Sequence, residues 1–265
     1  MPVISGYFPK ERGRFVDAFC GGLSVSLSVG GRILANDIDA QLIRTYKVFQ
    51  DHPNPWADIR ELVKEYDLNR DNIAAYLKLR ADYNANKAKD PLANISVREA
   101  IEHYTLISHS FSNMTRYNLK GEFNVNFGRR TVGDQTIERI AHFKRHGALI
   151  EFSSVPYYEL EIRDDDFLYL DPPYYATAAT YNAQWKEADE IRFNEWVQGL
   201  VDRGVKFGLS NVTHHKGKVN EFLLQFIERN PHLTVVDLNK TYCLDRSGGK
   251  NGVTREVYIT NVEVK

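Results

Sequence analysis

The residues with the clearest chemistry are Asp171-Pro172-Pro173-Tyr174, which follow the apolar run Phe167-Leu168-Tyr169-Leu170. The run reads as a buried strand that ends in a turn signal. Pro172 cannot donate to a sheet ladder and biases Asp171 away from the α region, so the strand stops there. A carboxylate, a proline carbonyl and an aromatic ring are thereby fixed at the carboxyl edge of a sheet, where open α/β sheets bind ligands. A planar amine such as N6 of adenine has two N–H donors and a delocalised lone pair. Asp171 and the Pro172 carbonyl can accept both hydrogens while Tyr174 stacks on the ring. Read alone, the four residues also fit a strand-ending turn that carries a stray acid.

Two further units belong with such a sheet. Phe15-Val16 reads as a strand end, followed by Asp17-Ala18-Phe19-Cys20-Gly21-Gly22 and a helical Leu23–Leu27 segment. Paired glycines let a loop approach a ligand without Cβ clashes. Arg32–Asn36 then reads as a second strand, ending at Asp37-Ile38, with Asp37 twenty residues after Asp17. Strand, glycine loop, helix, strand and acid in this order describe a nucleoside-binding half in which the acid takes the ribose hydroxyls. The loop is neither G-x-G-x-x-G nor G-x-x-x-x-G-K-[ST], which disfavours a dinucleotide or ATP. An ordinary βαβ turn is the plainer alternative.

The alternation stops at Pro53-Asn54-Pro55. Helical patterns follow at Ile59–Tyr66, Ile73–Arg80 and Ile101–Ser108, with a polar loop at residues 84–89. A hairpin is expected around Lys120-Gly121. From Phe111 to Arg130 there are four basic residues and one acidic, interleaved with Asn, Ser and aromatics. Such a mixture suits a DNA duplex, because Arg reads guanine, Asn reads adenine and an apolar side chain touches thymine or wedges into the stack. It equally suits a solvated hairpin whose aromatics cover helices. After Thr136 the alternating pattern returns. It gives a helix at 137–146, strands at 148–152, 205–209, 233–238 and 256–261, and helices at 187–202 and 219–228. Residues 175–185 are long enough for a lid, and 245–252 read as a turn.

The totals set bounds. The 265 residues are 43% apolar with net charge −1, so a full core is available and any DNA contact must come from a local patch. Two cysteines, Cys20 and Cys243, are too few for a disulfide framework and suggest a reducing, cytoplasmic setting. No membrane-length apolar run or signal peptide is expected. His214-His215 lacks ligand-spaced neighbours and reads as a solvated loop, with no metal site expected.

Taken together, these residues resemble the Dam-type (D12 class) DNA adenine-N6 methyltransferases, in particular the short phage forms. The resemblance rests on Phe15-Val16-Asp17 with Phe19–Ser24, Ala35–Ile38, Phe111–Met114, Phe127–Arg130, Asp171–Tyr174, Lys206–Asn211 and Glu256–Ile259, in that family's order. It implies an α/β, Rossmann-like methyltransferase fold with a mixed seven-stranded sheet. It also implies a small helical DNA-recognition domain carrying a β-hairpin, inserted after the second strand. Residues 1–52 and 136–265 would form the catalytic domain and 53–135 the recognition domain. The resemblance implies S-adenosylmethionine (AdoMet) as methyl donor, no metal, double-stranded DNA as partner, and adenine in GATC as target. Carried over by position, Asp17, Ala18, Phe19, Cys20, Gly21 and Gly22 would hold the methionine part. Asp37 and Ile38 would serve the ribose side, Pro156 and Tyr157 would border the cofactor adenine, and Asp171 would lie beside the cofactor as well as the target. Asp171, Pro172, Pro173 and Tyr174 would hold the flipped base. Phe111, Ser112, Asn113, Met114, Arg116, Asn118, Asn126 and Arg130 would contact DNA, although Asn126 stands where relatives have proline.

One departure concerns the start. Relatives carry an aromatic-Gly-Asn-Lys segment ahead of the first strand, and no Gly-x-Lys lies upstream of Asp17 here. The expectation is weakened AdoMet binding and low methylation. Two other readings are an N-P-P-Y-like enzyme acting on glutamine or another amine, which Asp171 and the insert argue against, and a DNA-binding relative that has lost catalysis.

Overall fold

The structure is a computed structural model that describes residues 2–90, 93–177, 185–238 and 254–263. In chain order its elements are α1 (Pro2–Ser5), β1 (Arg14–Asp17), β2 (Arg32–Asn36), α2 (Ala40–Asp51), α3 (Pro55–Glu65), α4 (Ile73–Asn86), α5 (Val97–His109), α6 (Asp134–His146), β3 (Ile150–Ser153), β4 (Phe167–Leu170), α7 (Glu187–Asp202), β5 (Lys206–His215), β6 (Lys218–Val219), α8 (Glu221–Arg229), β7 (Thr234–Asp237) and β8 (Thr254–Thr260). They fall into two compact units, Met1–Asn36 with Val155–Lys265, and Asp37–Ser154. The second takes in the whole 53–135 insert together with α2, α6 and β3.

The first unit is the expected mixed sheet. β2, β1, β4 and β5 are parallel neighbours in that order. β8 runs antiparallel to β5 and β7 antiparallel to β8, while the short β6 pairs with the end of β5. Alternate residues face opposite sides of a strand. Val16, Leu168, Leu170, Phe207, Leu209, Val257 and Ile259 pack with Phe193, Val197, Leu200, Leu223 and Phe226 of α7 and α8. On the other face, the ring of Phe8 lies 5.2–5.6 Å from Phe15, Phe167 and Tyr169, and Tyr7 stacks on Tyr258. The entries of β1 and β4 are clamped by Arg14, whose Nε and Nη2 donate to the Asp166 carboxylate at 3.1 and 2.8 Å, with both residues buried. A two-pronged pair of this kind fixes register as well as contributing energy.

Four expectations are corrected. The helix after the glycine loop is only a 3-10 turn, Ser26–Ser28. A serine- and valine-rich segment that runs into Gly30-Gly31 is too short and too poor in helix formers to propagate. The strand expected to end at Leu209 continues to His215, because Ser210 and Asn211 stay buried in the pairing with β8 and the buried Thr213 sits in a bulge of that pairing. His214 and His215 therefore lie in a strand and not in a solvated loop. Their Nδ1 atoms sit 3.0 and 2.9 Å from the hydroxyls of Thr213 and Thr254. Finally, α4 extends through the start of the polar 84–89 segment. Asn84 acts there as a surrogate strand residue, donating to the Phe123 carbonyl at 3.0 Å and accepting from its N–H at 2.8 Å.

In the second unit, helices α2 to α5 pack through Leu42, Ile43, Phe49, Ile59, Leu62, Tyr76, Leu79, Tyr83, Ile101 and Leu106, all buried. Asp39, Asn72 and Ser96 cap α2, α4 and α5, each accepting an orphan backbone N–H. Among the described residues no helix is long and apolar enough to cross a membrane, and no cluster of three or more His, Cys, Asp or Glu is arranged to hold a metal. The expected lid overlaps residues 178–184, and the 245–252 turn and Cys243 lie wholly outside the described residues.

Candidate active site and nucleic-acid interface

In the first unit the candidate site forms at the carboxyl edge, where β1 and β4 lie side by side. Asp17 is in register with Tyr169, so Asp171 follows two residues beyond that partner. The backbone link continues past the strands, as Ala18 N–H donates to the Tyr169 carbonyl at 3.1 Å. Asp17 is buried, and Oδ2 accepts from Ser26 Oγ at 2.7 Å. Asn36, buried at the end of β2, stitches the surrounding loops. It donates to the carbonyls of Ala18 and Val155 at 3.1 and 3.0 Å, accepts from Val155 N–H at 3.1 Å, and its own carbonyl accepts from Cys20 N–H at 2.8 Å. Cys20 is a buried thiol outside any disulfide.

The glycine loop has room for a ligand. A Cβ built on Gly21 or Gly22 meets nothing within 4 Å, and Gly22 is exposed. Packing within the protein therefore does not account for glycine at 22. Gly21 (φ 42°) and Leu23 (φ 59°) are both left-handed. A buried leucine in that region costs roughly 1–2 kcal/mol, the kind of local strain that clusters at ligand sites.

At the end of β4, Asp171, Pro173 and Tyr174 are half-buried and Pro172 is buried. The Tyr174 hydroxyl donates to Asp171 Oδ1 at 2.7 Å, which holds the carboxylate in one orientation. Burial, reinforced by the Asp171 charge, pushes the Tyr174 phenol well above its ordinary range, so it stays a donor. Thr177 folds back onto the Tyr174 carbonyl at 3.0 Å through both its N–H and its hydroxyl. Beside Phe19 of the glycine loop, Tyr157 follows Pro156 in a short 3-10 turn. Its ring lies 5.0–5.5 Å from Trp196, Phe193 and Phe19, and burial pushes its hydroxyl up to about 12. The Tyr157 face thus belongs to an aromatic wall suited to a planar ring.

In the second unit, Asp37 Oδ1 accepts from Asp39 N–H at 2.9 Å, and its backbone is held by Ser153 and Ser154. Ile38 is 70% exposed, an apolar side chain beside an acid with room for a ligand to cover it. The hairpin is present as two antiparallel bridges, Ser110 with Phe127 and Tyr117 with Phe123. Phe111, Ser112, Asn113, Asn126 and Arg130 are exposed and Met114 is half-buried. Ser112 and Asn113 adopt left-handed backbone, which turns the chain sharply at the hairpin base. Arg116 is engaged within the hairpin, donating to Asn124 Oδ1 and to the Asn124 carbonyl, both at 2.8 Å. Asn118 organises the tip, accepting from the N–H groups of Lys120 and Glu122.

Residues 1–235 match the model of the D12 class N6 adenine-specific DNA methyltransferases. The chain belongs to this family. It is 30% identical to Modification methylase StsI of Streptococcus sanguinis over 97% of this chain and 40% of that protein. To Type II methyltransferase M.FokI of Planomicrobium okeanokoites it is 29% identical over 96% of this chain and 40% of that protein. To the DNA adenine methylase of Escherichia coli K12 it is 28% identical over 78% of this chain and 74% of that protein. The chain thus spans about two fifths of the length of the first two relatives.

Two buried polar residues have no role in the sequence reading. Asn36 is a buried amide at the end of an apolar strand, and such a group must find partners. Glu190 is wholly buried in α7. It accepts from Trp185 Nε1 and Asn220 Nδ2, both at 2.7 Å, and burial raises its pKa. It lies inside an amphipathic helix pattern, where an acid normally marks the solvent face.

Proposed function

We propose that the chain catalyses methyl transfer from AdoMet to N6 of adenine in double-stranded DNA, with GATC as its site. The observation that carries this reading is the adjacency of the open glycine loop after β1 and the Asp-Pro-Pro-Tyr turn after β4 on one sheet edge. Asp17 to Gly22 would hold the methionine arm, Asp37 and Ile38 the ribose side, and Tyr157 the adenine of the cofactor. AdoMet, when bound, supplies a methyl group already activated by its sulfonium.

Everything else falls to the protein's own groups. The target amine must leave the stack to be reached. Asp171 and the Pro172 carbonyl accept its two hydrogens, which favours a tetrahedral nitrogen with its lone pair directed outward. Positive charge then develops on that nitrogen beside the Asp171 carboxylate, an interaction stronger in the transition state than in the ground state, and it is discharged when the surplus N6 proton passes to solvent and S-adenosylhomocysteine leaves. The Tyr174 hydroxyl positions the carboxylate, and its ring offers a face to the base. Residues 53–135 would supply recognition, with the exposed Arg130 as a guanine reader. The test is incubation with AdoMet and plasmid DNA, followed by nucleoside analysis and cleavage by GATC nucleases that methylation blocks. N6-methyladenine with protected GATC sites is expected. N6-methyladenine without protection would keep the reaction and reject the site.

A further inference from the structure

The second unit contains a chain of polar side chains that motif reading does not use. Successive side chains of an extended segment point to opposite faces, so Tyr117 points away from its hairpin neighbours Arg116 and Asn118. Its hydroxyl lies 2.8 Å from His103 Nε2 and 3.4 Å from Asp39 Oδ1, to which it donates. The His103 ring stacks on Tyr117, and Nδ1 lies 2.8 Å from Thr45 Oγ1, whose single hydrogen can serve either Nδ1 or the Gln41 carbonyl 2.9 Å away. Both branches thus end on the first turns of α2. Asp39 is the cap of that helix, accepting from Leu42 N–H at 3.1 Å, and its own backbone N–H orients the Asp37 carboxylate at 2.9 Å.

We propose that Tyr117 is a positioning residue that couples the hairpin to the Asp37 turn, so that duplex on the hairpin and cofactor at Asp37 strengthen each other's binding. The proposal rests on the functional reading above for what each element binds. The physical reason is that the hydroxyl joins the inner face of the hairpin to the residue whose backbone aims Asp37. A shift of the hairpin onto DNA therefore moves, or freezes, the Asp37 turn. His103 is buried and its pKa is lowered by burial to about 3, so the ring itself stays uncharged across the working pH range. Coupling between sites is reciprocal and typically amounts to about 5–150-fold in affinity.

The test measures the dissociation constant of S-adenosylhomocysteine, which cannot react, with and without saturating GATC duplex. In the wild type, duplex is expected to tighten binding about tenfold. Tyr117→Phe keeps the ring stack and loses the hydroxyl. It should bind S-adenosylhomocysteine alone within about threefold of wild type but show a ratio below about two. Thr45→Val, which cuts the chain on its far side, should lower the ratio as well. Tyr66→Phe, which removes a hydroxyl bonded to Asp82 elsewhere in the same unit, should leave the ratio intact. A full ratio in Tyr117→Phe, or a loss in Tyr66→Phe equal to that in Tyr117→Phe, overturns the coupling role. A wild type that binds both ligands with a ratio of one overturns this proposal alone. A wild type that binds neither overturns the functional reading with it.

Discussion

Gly128→Ala offers a sharp test of how the hairpin is built. Gly128 N–H donates to the His109 carbonyl at 2.8 Å, and Phe111 N–H donates to the Asn126 carbonyl at 2.9 Å, so two backbone segments close the hairpin base. A Cβ on Gly128 would lie 2.3 Å from the Ser110 carbonyl oxygen and 2.7 Å from Phe111 N, against an ordinary contact of 3.4 Å or more. Backbone cannot rotate aside as a side chain can, so the segments must part by about an ångström. Both hydrogen bonds then stretch beyond useful length. Losing them costs about 0.5–1.5 kcal/mol each, and overpacking adds about 1–3 kcal/mol. The expected loss is about 2–6 kcal/mol, and its lower half corresponds to roughly 4–16 °C in melting temperature. Thermal unfolding followed by circular dichroism measures this, with duplex affinity by fluorescence anisotropy beside it. Gly133→Ala is the control, since a Cβ there meets nothing within 4 Å. A Gly128→Ala chain that melts within about 2 °C of wild type and binds duplex equally well would refute the reasoning.

Two further outcomes follow from the second unit. His103 has its pKa lowered from 6.5 to about 3. Between those values the unfolded chain binds a proton that the folded chain does not, so stability is full above about pH 6.5 and falls as pH drops through that window, by about 1.4 kcal/mol at pH 5.5 from this residue alone. Asp39, whose pKa burial raises, works in the opposite sense, favouring the fold as it takes up a proton. Urea midpoints at pH 7.5 and 5.5 should therefore differ more in wild type than in His103→Asn, and equal differences would contradict the assignment. For recognition, Arg130→Ala should lose about 1–3 kcal/mol of discrimination at one guanine position, whereas Lys120→Ala should weaken all duplexes alike and flatten the salt dependence. Competition binding on cognate and single-substituted duplexes distinguishes them, and equal losses for Arg130→Ala on every duplex would count against base reading.

Much of this was legible where one residue type has one structural consequence. The prolines after Asp171 end β4 where the sequence says they must, and the helix expected over 187–202 is α7, with Glu187, Asp189 and Glu190 favouring its amino end. Legibility failed where tertiary pairing overrides local pattern. Ser210 and Asn211 look like the end of a strand, yet β8 pairs with them and the Tyr169 and Ser210 hydroxyls lie 3.0 Å apart. The sequence reading passes over α2, although Leu42, Ile43, Tyr46 and Phe49 recur at helical spacing and are buried. At the candidate site, the motif residues are apparent from type and order. Their supports are not, because Asn36, Glu190 and the Tyr117 chain join residues far apart in sequence and reveal themselves only as buried polar groups that need partners.

The central claim is that Asp171 holds the target amine for methyl transfer, and it is tested most directly by labelled AdoMet and DNA with wild type and Asp171→Asn side by side. Wild type should place label on N6 of adenine. The asparagine variant keeps the shape and an acceptor oxygen but lacks the charge, so its single-turnover rate should fall by about 10²–10³ while AdoMet binding, read by calorimetry, stays within about threefold. Label on cytosine or on protein in place of adenine, or near-normal transfer by Asp171→Asn, would contradict the account.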